Sequence, residues 1–126
     1  MTHTIRSIFE AEANAILNIP VNDNFRKACD LIYEAVHTGK GKVVTSGMGK
    51  AGEIAHNIAT TLSSTGTPAV FLHPSDAQHG DLGVIQLHDI LLLVSNSGKT
   101  REILELYELV NHLGYKLKVI VITGNA

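Results

Sequence analysis

An apolar run from Leu91 to Val94 ends abruptly in the polar stretch Ser95-Asn96-Ser97-Gly98-Lys99-Thr100, and a helical pattern follows. A short continuous apolar run bounded by turn residues predicts a strand that is buried on both faces. Strands of this kind occur almost only in α/β proteins, where helices cover both faces of a parallel sheet. The run therefore favours an α/β fold with a strand-to-helix loop beginning at Ser95.

The composition of this loop predicts phosphate binding. Ser95, Asn96, Ser97 and Thr100 offer side-chain donors, and Gly98 allows a tight turn that directs backbone N–H groups at an anion. The positive end of the following helix would add to the attraction. The alternative is an ordinary strand-to-helix loop with Thr100 as the helix N-cap.

The rest of the chain alternates strand and helix patterns, which favours parallel pairing through right-handed crossovers. We therefore predict a three-layer α/β/α sandwich with a parallel, flavodoxin- or Rossmann-like sheet. Strands are predicted at Lys42–Ser46, Ala69–Leu72, Ile90–Val94 and Leu117–Ile122. Helical patterns lie from Asn22 or Asp23 to Gly39, from Ile54 to Leu62 and from Ile103 to Gly114.

Composition limits the classes of partner. The 126 residues suit one domain, and with 44% hydrophobic residues and a net charge of −2 there is no basic excess to indicate nucleic acid. No signal-peptide layout and no apolar run of about 20 residues is present, so we expect no membrane partner and a cytoplasmic location. The single cysteine, Cys29, excludes an internal disulfide and is predicted to be a packed thiol.

Residues 1–20 form a separate amphipathic helix that ends near Pro20. Because this helix precedes the first strand, it has no obvious sheet face to cover, and we expect it to contact a second copy of the chain. Residues 21–126 form the α/β domain. The apolar positions of the helix are Ile5, Ile8, Phe9, Ala13, Ile16 and Leu17.

A second glycine-rich loop, Gly47–Gly52, follows the first predicted strand. Its Gly-x-Gly-x-x-Gly spacing also occurs in dinucleotide-binding folds, but the next strand ends in His73-Pro74 rather than in the acidic residue that holds a ribose. Lys50 supplies a cation suited to a phosphate or an anionic intermediate. The alternative for Lys50 is a solvated lysine in the first turn of a helix.

The segment from His73 to Gly83 is polar enough to be placed outside the core. Its two histidines, His73 and His79, with Asp76 and Asp81 nearby, suit a metal site, acid–base chemistry, a sugar hydroxyl or the capping of turns. Because the carboxyl ends of parallel strands share one edge, the loops beginning at Ser46, His73 and Ser95 are expected to meet there.

Four segments together resemble one family, the sugar isomerase (SIS) domains, and more narrowly the D-arabinose-5-phosphate isomerases. The resemblance covers residues 20–126. It implies interconversion of D-ribulose 5-phosphate and D-arabinose 5-phosphate for Kdo, and hence for lipopolysaccharide or capsule. The segments are Gly47-Met48-Gly49-Lys50, Ser64-Thr65-Gly66-Thr67-Pro68, His79-Gly80-Asp81-Leu82-Gly83 and Ser95-Asn96-Ser97-Gly98.

The resemblance also implies roles for single residues. Phosphate and substrate would be held by Gly47, Gly49, Gly66, Thr67, His73, His79, Ser95, Asn96, Ser97, Gly98 and Thr100. Lys50 and Glu102 match catalytically relevant positions, although the helix dipole alone also favours Glu102. Glu102 or His79 would move the proton of an enediol route, and Lys50 would stabilise the oxyanion. No cofactor is required, His73 is a candidate zinc ligand, and a dimer or tetramer is implied.

The chain departs from the family pattern in two places. Lys99 stands where these isomerases commonly carry a glutamate. The family also continues beyond Ala126 with a helix, a strand and a helix that contain a glutamate and a histidine of the site, so the C-terminal part of the domain is expected to be missing. A truncated product, a fragment and completion by a partner chain all remain open, and a regulatory sugar-phosphate-binding module without catalysis is the alternative function.

Overall fold

The structure, a computed structural model, describes residues 1–125 as five α-helices and four parallel strands. The strands are β1 (Val43–Ser46), β2 (Ala69–Phe71), β3 (Ile90–Val94) and β4 (Lys118–Ile122). The helices are α1 (Thr2–Leu17), α2 (Asn24–Tyr33), α3 (Gly49–Ser64), α4 (Pro74–Gln78) and α5 (Arg101–His112). A π-helical turn (Glu34–Thr38) extends α2, and a 3₁₀ turn (Asp81–Val84) follows α4. The predicted α/β class and parallel sheet are confirmed.

The sheet has the order β2-β1-β3-β4, and each neighbouring pair is parallel. This is the order of flavodoxin-like sheets, in which the chain leaves β1 first to one side and then to the other. The point at which the direction of strand addition reverses lies between β1 and β3. Ligands of such sheets bind outside the carboxyl ends of the strands at this point, so the topology identifies one edge of the molecule as the place to look for a site.

The two central strands are buried along their whole length. Successive side chains of a strand point to opposite faces, so β1 and β3 each supply two apolar layers. On one face Val44, Leu91 and Leu93 pack with residues of α5 and the α4 segment. On the other face Val43, Ile90, Leu92 and Val94 pack with Ala55 and with partly buried residues of α2, α3 and the π-helical turn. The sheet is therefore the middle layer of the predicted sandwich.

Helix α1 lies apart from this sandwich. None of its residues is buried, and its apolar side chains are among the most exposed of the described chain, with Phe9 at 59% and Leu17 at 80%. The sequence prediction that α1 has no sheet face to cover is thereby confirmed. No helix within residues 1–125 has the length and apolar character needed to cross a membrane.

Two predictions about burial are wrong. Cys29 is exposed, because α2 turns Ala28, Leu31 and Ile32 toward the sheet and Cys29 away from it. The segment after β2 is also not wholly outside the core, because Pro74 and Ala77 of α4 are buried. Its polar residues project outward from a short amphipathic helix that the sequence pattern did not indicate.

Two leucines of α5 allow the packing to be tested within one helix. Leu106 is 0% exposed between the sheet and α4, whereas Leu104 is 49% exposed. We expect Leu106→Ala to lower the free energy of unfolding by about 2–5 kcal/mol, because it removes buried methyl groups and leaves a cavity. Leu104→Ala should change it by less than about 0.5 kcal/mol. Urea denaturation of both variants measures this, and equal losses would contradict the assigned packing.

Candidate functional site

Four loops follow one another along the carboxyl edge of the sheet. Thr45 lies opposite Phe71 and Ser46 opposite Leu93, so the loops after β1, β2 and β3 leave the sheet at one level. Val94 lies opposite Ile122, which brings the residues after β4 beside Ser95. The predicted convergence of the loops beginning at Ser46, His73 and Ser95 is confirmed.

The loop between β3 and α5 is closed by its first residue. Ser95 is only 2% exposed. Its Oγ is 2.7 Å from Thr100 Oγ1 and accepts a hydrogen bond from the backbone N–H of Gly98 at 3.1 Å. Gly98 has a φ of +70°, which favours glycine. Ser95 therefore holds the two ends of the loop together, and its hydroxyl is already committed within the protein.

The outer part of the same loop offers donors to an anion. Asn96 and Ser97 are exposed, and the Lys99 N–H donates to Ser97 Oγ at 3.0 Å, which leaves the Ser97 hydroxyl hydrogen free to donate. Thr100 stands at the N-cap position of α5, as the alternative interpretation of the loop had it, but its hydroxyl bonds Ser95 and does not cap the helix. The first N–H groups of α5 lack intrahelical partners and carry the positive end of the helix dipole. The loop therefore has the form of an anion-binding cradle.

The glycines of the β1–α3 loop have a packing role. A Cβ on Gly47 would lie 2.8 Å from the Ala51 carbonyl, and one on Gly52 would lie 2.6 Å from the Gly47 carbonyl oxygen. Gly49 has a φ of +58° at the start of α3. These glycines allow α3 to begin directly against the end of β1. Lys50 follows as an exposed residue in the first turn, at the same edge as the cradle.

His73 caps a helix. Its Nδ1 accepts a hydrogen bond from the Ser75 N–H at 3.1 Å, and Pro74 occupies the first position of α4. His79 ends the same helix and its side chain is exposed. The alternative in which these histidines cap turns is thus confirmed for His73. Both histidines lie on the segment that continues from the carboxyl end of β2.

Side-chain hydrogen bonds join α4 to the first two turns of α5. Gln78 Nε2 donates to Glu105 Oε2 at 2.7 Å, and Glu105 Oε1 pairs with the Arg101 guanidinium at 2.9 Å. Glu102 lies one residue into α5, half-buried, in the first turn. The helix that carries the cradle at its start therefore also presents this carboxylate.

The structure does not bring Gly66 and Thr67 to this edge. Helix α3 begins at the carboxyl end of β1 and runs back, so its last residues and the following turn lie at the amino ends of the strands. The Pro68 carbonyl there accepts the N–H of Val43, the first residue of β1. Within a single chain the crossover separates Gly66 and Thr67 from the cradle, and their part in a substrate site stays a prediction.

The predicted zinc site is likewise not assembled by one chain. One imidazole nitrogen of His73 is already a hydrogen-bond acceptor for the backbone. Residues 1–125 contain no group of three or more His, Cys, Asp or Glu side chains that could hold a metal ion. A zinc site in proteins normally takes at least three such ligands. The described residues do not fit zinc.

The segment after β4 was missed as part of the site. Thr123, Gly124 and Asn125 contact the cradle loop through hydrogen bonds. The signal that could have found them is topological, because the residues after β4 must emerge beside the residues after its parallel neighbour β3.

A parallel sheet with a glycine- and hydroxyl-rich loop between a strand and a helix at its topological switch point is typical of α/β domains that bind phosphate groups. Comparison with known proteins narrows the class. The SIS domain family model matches residues 38–126, and the chain belongs to this family.

Several relatives are similar to almost the whole chain. The arabinose 5-phosphate isomerase KdsD of Pseudomonas aeruginosa is 45% identical over 98% of the chain, and KpsF of Escherichia coli O6:H1, of the same description, is 48% identical over 98%. A crystal structure from Bacteroides fragilis, described as a candidate phosphosugar isomerase involved in capsule formation, is 63% identical with a TM-score of 0.97. The E. coli CFT073 protein c3406, solved in complex with arabinose 5-phosphate, is 36% identical with a TM-score of 0.78.

The chain covers different shares of the length of these relatives. The chain spans about a third of the length of the curated isomerases, 36% of KdsD and 37% of KpsF. The match to the Bacteroides structure includes 99% of this chain and 65% of the Bacteroides chain. The match to c3406 includes 97% of this chain and 63% of c3406. In this chain β4 lies next to β3 alone, with Val121 52% and Ile122 47% exposed.

The capping role of His73 can be separated from a role in ligand binding. We expect His73→Ala to lower the free energy of unfolding by about 0.5–2 kcal/mol, the usual cost of removing an N-cap acceptor. His73→Asp should retain most of the stability, because an aspartate oxygen also accepts from the second or third N–H of a helix. Thermal and urea denaturation compare the two variants. A loss of the same size in both would show that the hydrogen bond to Ser75 is not what His73 contributes.

Proposed function

We propose that the chain is a phosphosugar aldose–ketose isomerase that interconverts D-ribulose 5-phosphate and D-arabinose 5-phosphate. The observation that carries the proposal is the cradle formed by the β3–α5 loop, because it offers hydroxyl and backbone donors to a phosphate beside Lys50 and Glu102. The descriptions of KdsD and KpsF, and the complex of c3406 with arabinose 5-phosphate, support this choice of sugar.

The reaction moves one proton between neighbouring carbons and needs no cofactor. A base removes a proton from C1 of the ketose, the C2 oxygen takes a proton, and an enediol results. The enediol O1–H then loses its proton as C2 gains one, which leaves an aldehyde at C1. Each half of the reaction passes through an enediolate whose negative oxygen must be stabilised.

The residues at the carboxyl edge suit these steps. The cradle holds the phosphate, and this contact supplies orientation without taking part in the chemistry. Lys50 stabilises the enediolate oxygen as a flexible cation. Glu102 is the favoured base because it lies in the first turn of the helix that begins at the cradle, and His79 on the neighbouring loop is the alternative.

The biological setting follows from the same proposal. Arabinose 5-phosphate is a precursor of Kdo, so the chain would serve the synthesis of lipopolysaccharide or capsule, and the description of the Bacteroides relative names capsule formation. Because sugar phosphates are made and consumed within the cell, the enzyme would act in the cytoplasm.

Proton NMR of ribulose 5-phosphate in D₂O tests the activity. We expect the chain to form arabinose 5-phosphate with deuterium at C2, and Lys50→Ala or Glu102→Gln to lower the rate by about 10²–10⁴. Glu108→Gln, an exposed carboxylate further along α5, is the matched control and should leave the rate unchanged. Binding of the sugar phosphate without any exchange would instead favour a non-catalytic, regulatory module.

We also infer that the chain forms a homo-oligomer through α1. An isolated helix of this length is marginally stable in water, so the exposed apolar face of α1 needs a partner surface. The same kind of surface is available on a second copy of the chain, and a two-fold arrangement would pair the face with itself. Phe25, near the start of α2, is a further exposed apolar side chain, at 56%.

Light scattering coupled to size-exclusion chromatography measures the oligomer. We expect the wild-type chain to elute as a dimer or tetramer and Phe9→Glu to dissociate it, because a charge would be buried in the contact. Asn14→Glu places the same charge about 140° away round the helix axis and should leave the oligomer intact. A monomeric wild-type chain, or dissociation by both substitutions, would contradict the inference.

A further inference from the structure

The residues that follow β4 are hydrogen-bonded to the backbone of the cradle. The Asn96 carbonyl oxygen accepts from the Gly124 N–H at 3.1 Å and from Thr123 Oγ1 at 3.3 Å. The Ser97 carbonyl oxygen accepts from Asn125 Nδ2 at 2.9 Å. Two consecutive carbonyl groups of the cradle loop are therefore held by a segment 27 to 28 residues downstream.

The two segments also fit closely in space. A Cβ on Gly124 would lie 2.6 Å from Asn96 Oδ1 and 3.3 Å from the Asn96 carbonyl oxygen. A Cβ on Gly98 would lie 3.2 Å from Thr123 Oγ1. A side chain at Gly124 would therefore require the Asn96 side chain to move, and one at Gly98 would require a small shift of Thr123.

The segment is itself ordered by Thr123. The Thr123 hydroxyl donates to the Asn96 carbonyl oxygen and accepts from the Asn125 N–H at 3.1 Å. Removal of this one hydroxyl would take away a hydrogen bond to the loop and would release the residue that holds the Ser97 carbonyl. Thr123 is therefore the most informative position at which to test the contact.

We propose that Thr123, Gly124 and Asn125 are positioning residues of the phosphate cradle. A carbonyl oxygen directed at a phosphate repels it, whereas an N–H attracts it. The three residues hold the Asn96 and Ser97 carbonyl oxygens in bonds to the β4 side, and this orients the loop so that the Ser97 hydroxyl and the N–H groups at the start of α5 face the anion. The proposal rests on the proposed function, in which the cradle binds the phosphate of the sugar.

The substitutions Thr123→Val and Thr123→Ser test this role, because valine keeps the shape of the side chain and serine keeps its hydroxyl. Calorimetric titration with arabinose 5-phosphate and with inorganic phosphate provides the readout. We expect Thr123→Val to weaken both affinities about three- to tenfold, the usual effect of losing one or two hydrogen bonds, and Thr123→Ser to restore them to within about twofold.

A second pair of variants tests the close fit. Gly124→Ala should weaken both affinities as well, since its Cβ would displace Asn96. Gly83→Ala is the matched control, because a Cβ there meets nothing within 4 Å and it lies on the 3₁₀ turn. Circular dichroism and thermal denaturation confirm that each variant is folded before its binding is measured.

Amide hydrogen exchange of the ligand-free chain supplies a readout that does not depend on sugar binding. We expect Thr123→Val to accelerate exchange in peptides that cover residues 95–100 and to leave peptides from α3 unchanged. If the wild-type chain binds and the valine variant shows equal affinity and equal exchange, the positioning role is overturned while the proposed function stands. If the wild-type chain binds neither ligand, the proposed function fails, and the exchange comparison alone supports or overturns the ordering of the loop.

Discussion

The parallel pairing of β1 with β3 is the contact on which the rest of the molecule depends. Both strands are buried on both faces, and the chain reaches β3 only after passing through β2 on the other side of β1. This pairing places the reversal of strand order at the centre of the sheet. It therefore determines which loops share the carboxyl edge and which turns, including that of Gly66, are carried to the opposite edge.

The cradle shows how polar groups are arranged at the end of a buried strand. Ser95 continues directly from β3 and is nearly inaccessible, so its hydroxyl needs partners within the protein, which Thr100 and the Gly98 N–H supply. The carbonyl groups of the next two residues are held by the segment after β4. These internal bonds occupy the Ser95 hydroxyl and the Asn96 and Ser97 carbonyl oxygens, and they leave the Ser97 hydroxyl hydrogen free to donate.

The sequence by itself determined the class of fold, the four strands to within a residue at each end, and the position of the loop between β3 and α5. These features follow from local patterns, namely apolar runs such as Ile90–Val94 and the glycine and hydroxyl residues that end them. Short-range patterns did not reveal α4, because its five residues contain too few apolar positions to show a helical period. Nor did they show that Cys29 faces outward.

Only the tertiary structure decided which residues meet. Crossover connections place Gly66 and Thr67 at one edge and the cradle at the other, and the β3–β4 pairing brings Asn125 against Ser97 across 28 residues of sequence. The same is true of the function of single side chains. Ser95 and His73 are both residue types that often bind ligands. In the folded chain the buried Ser95 hydroxyl bonds Thr100 and closes the loop, and the His73 imidazole caps α4.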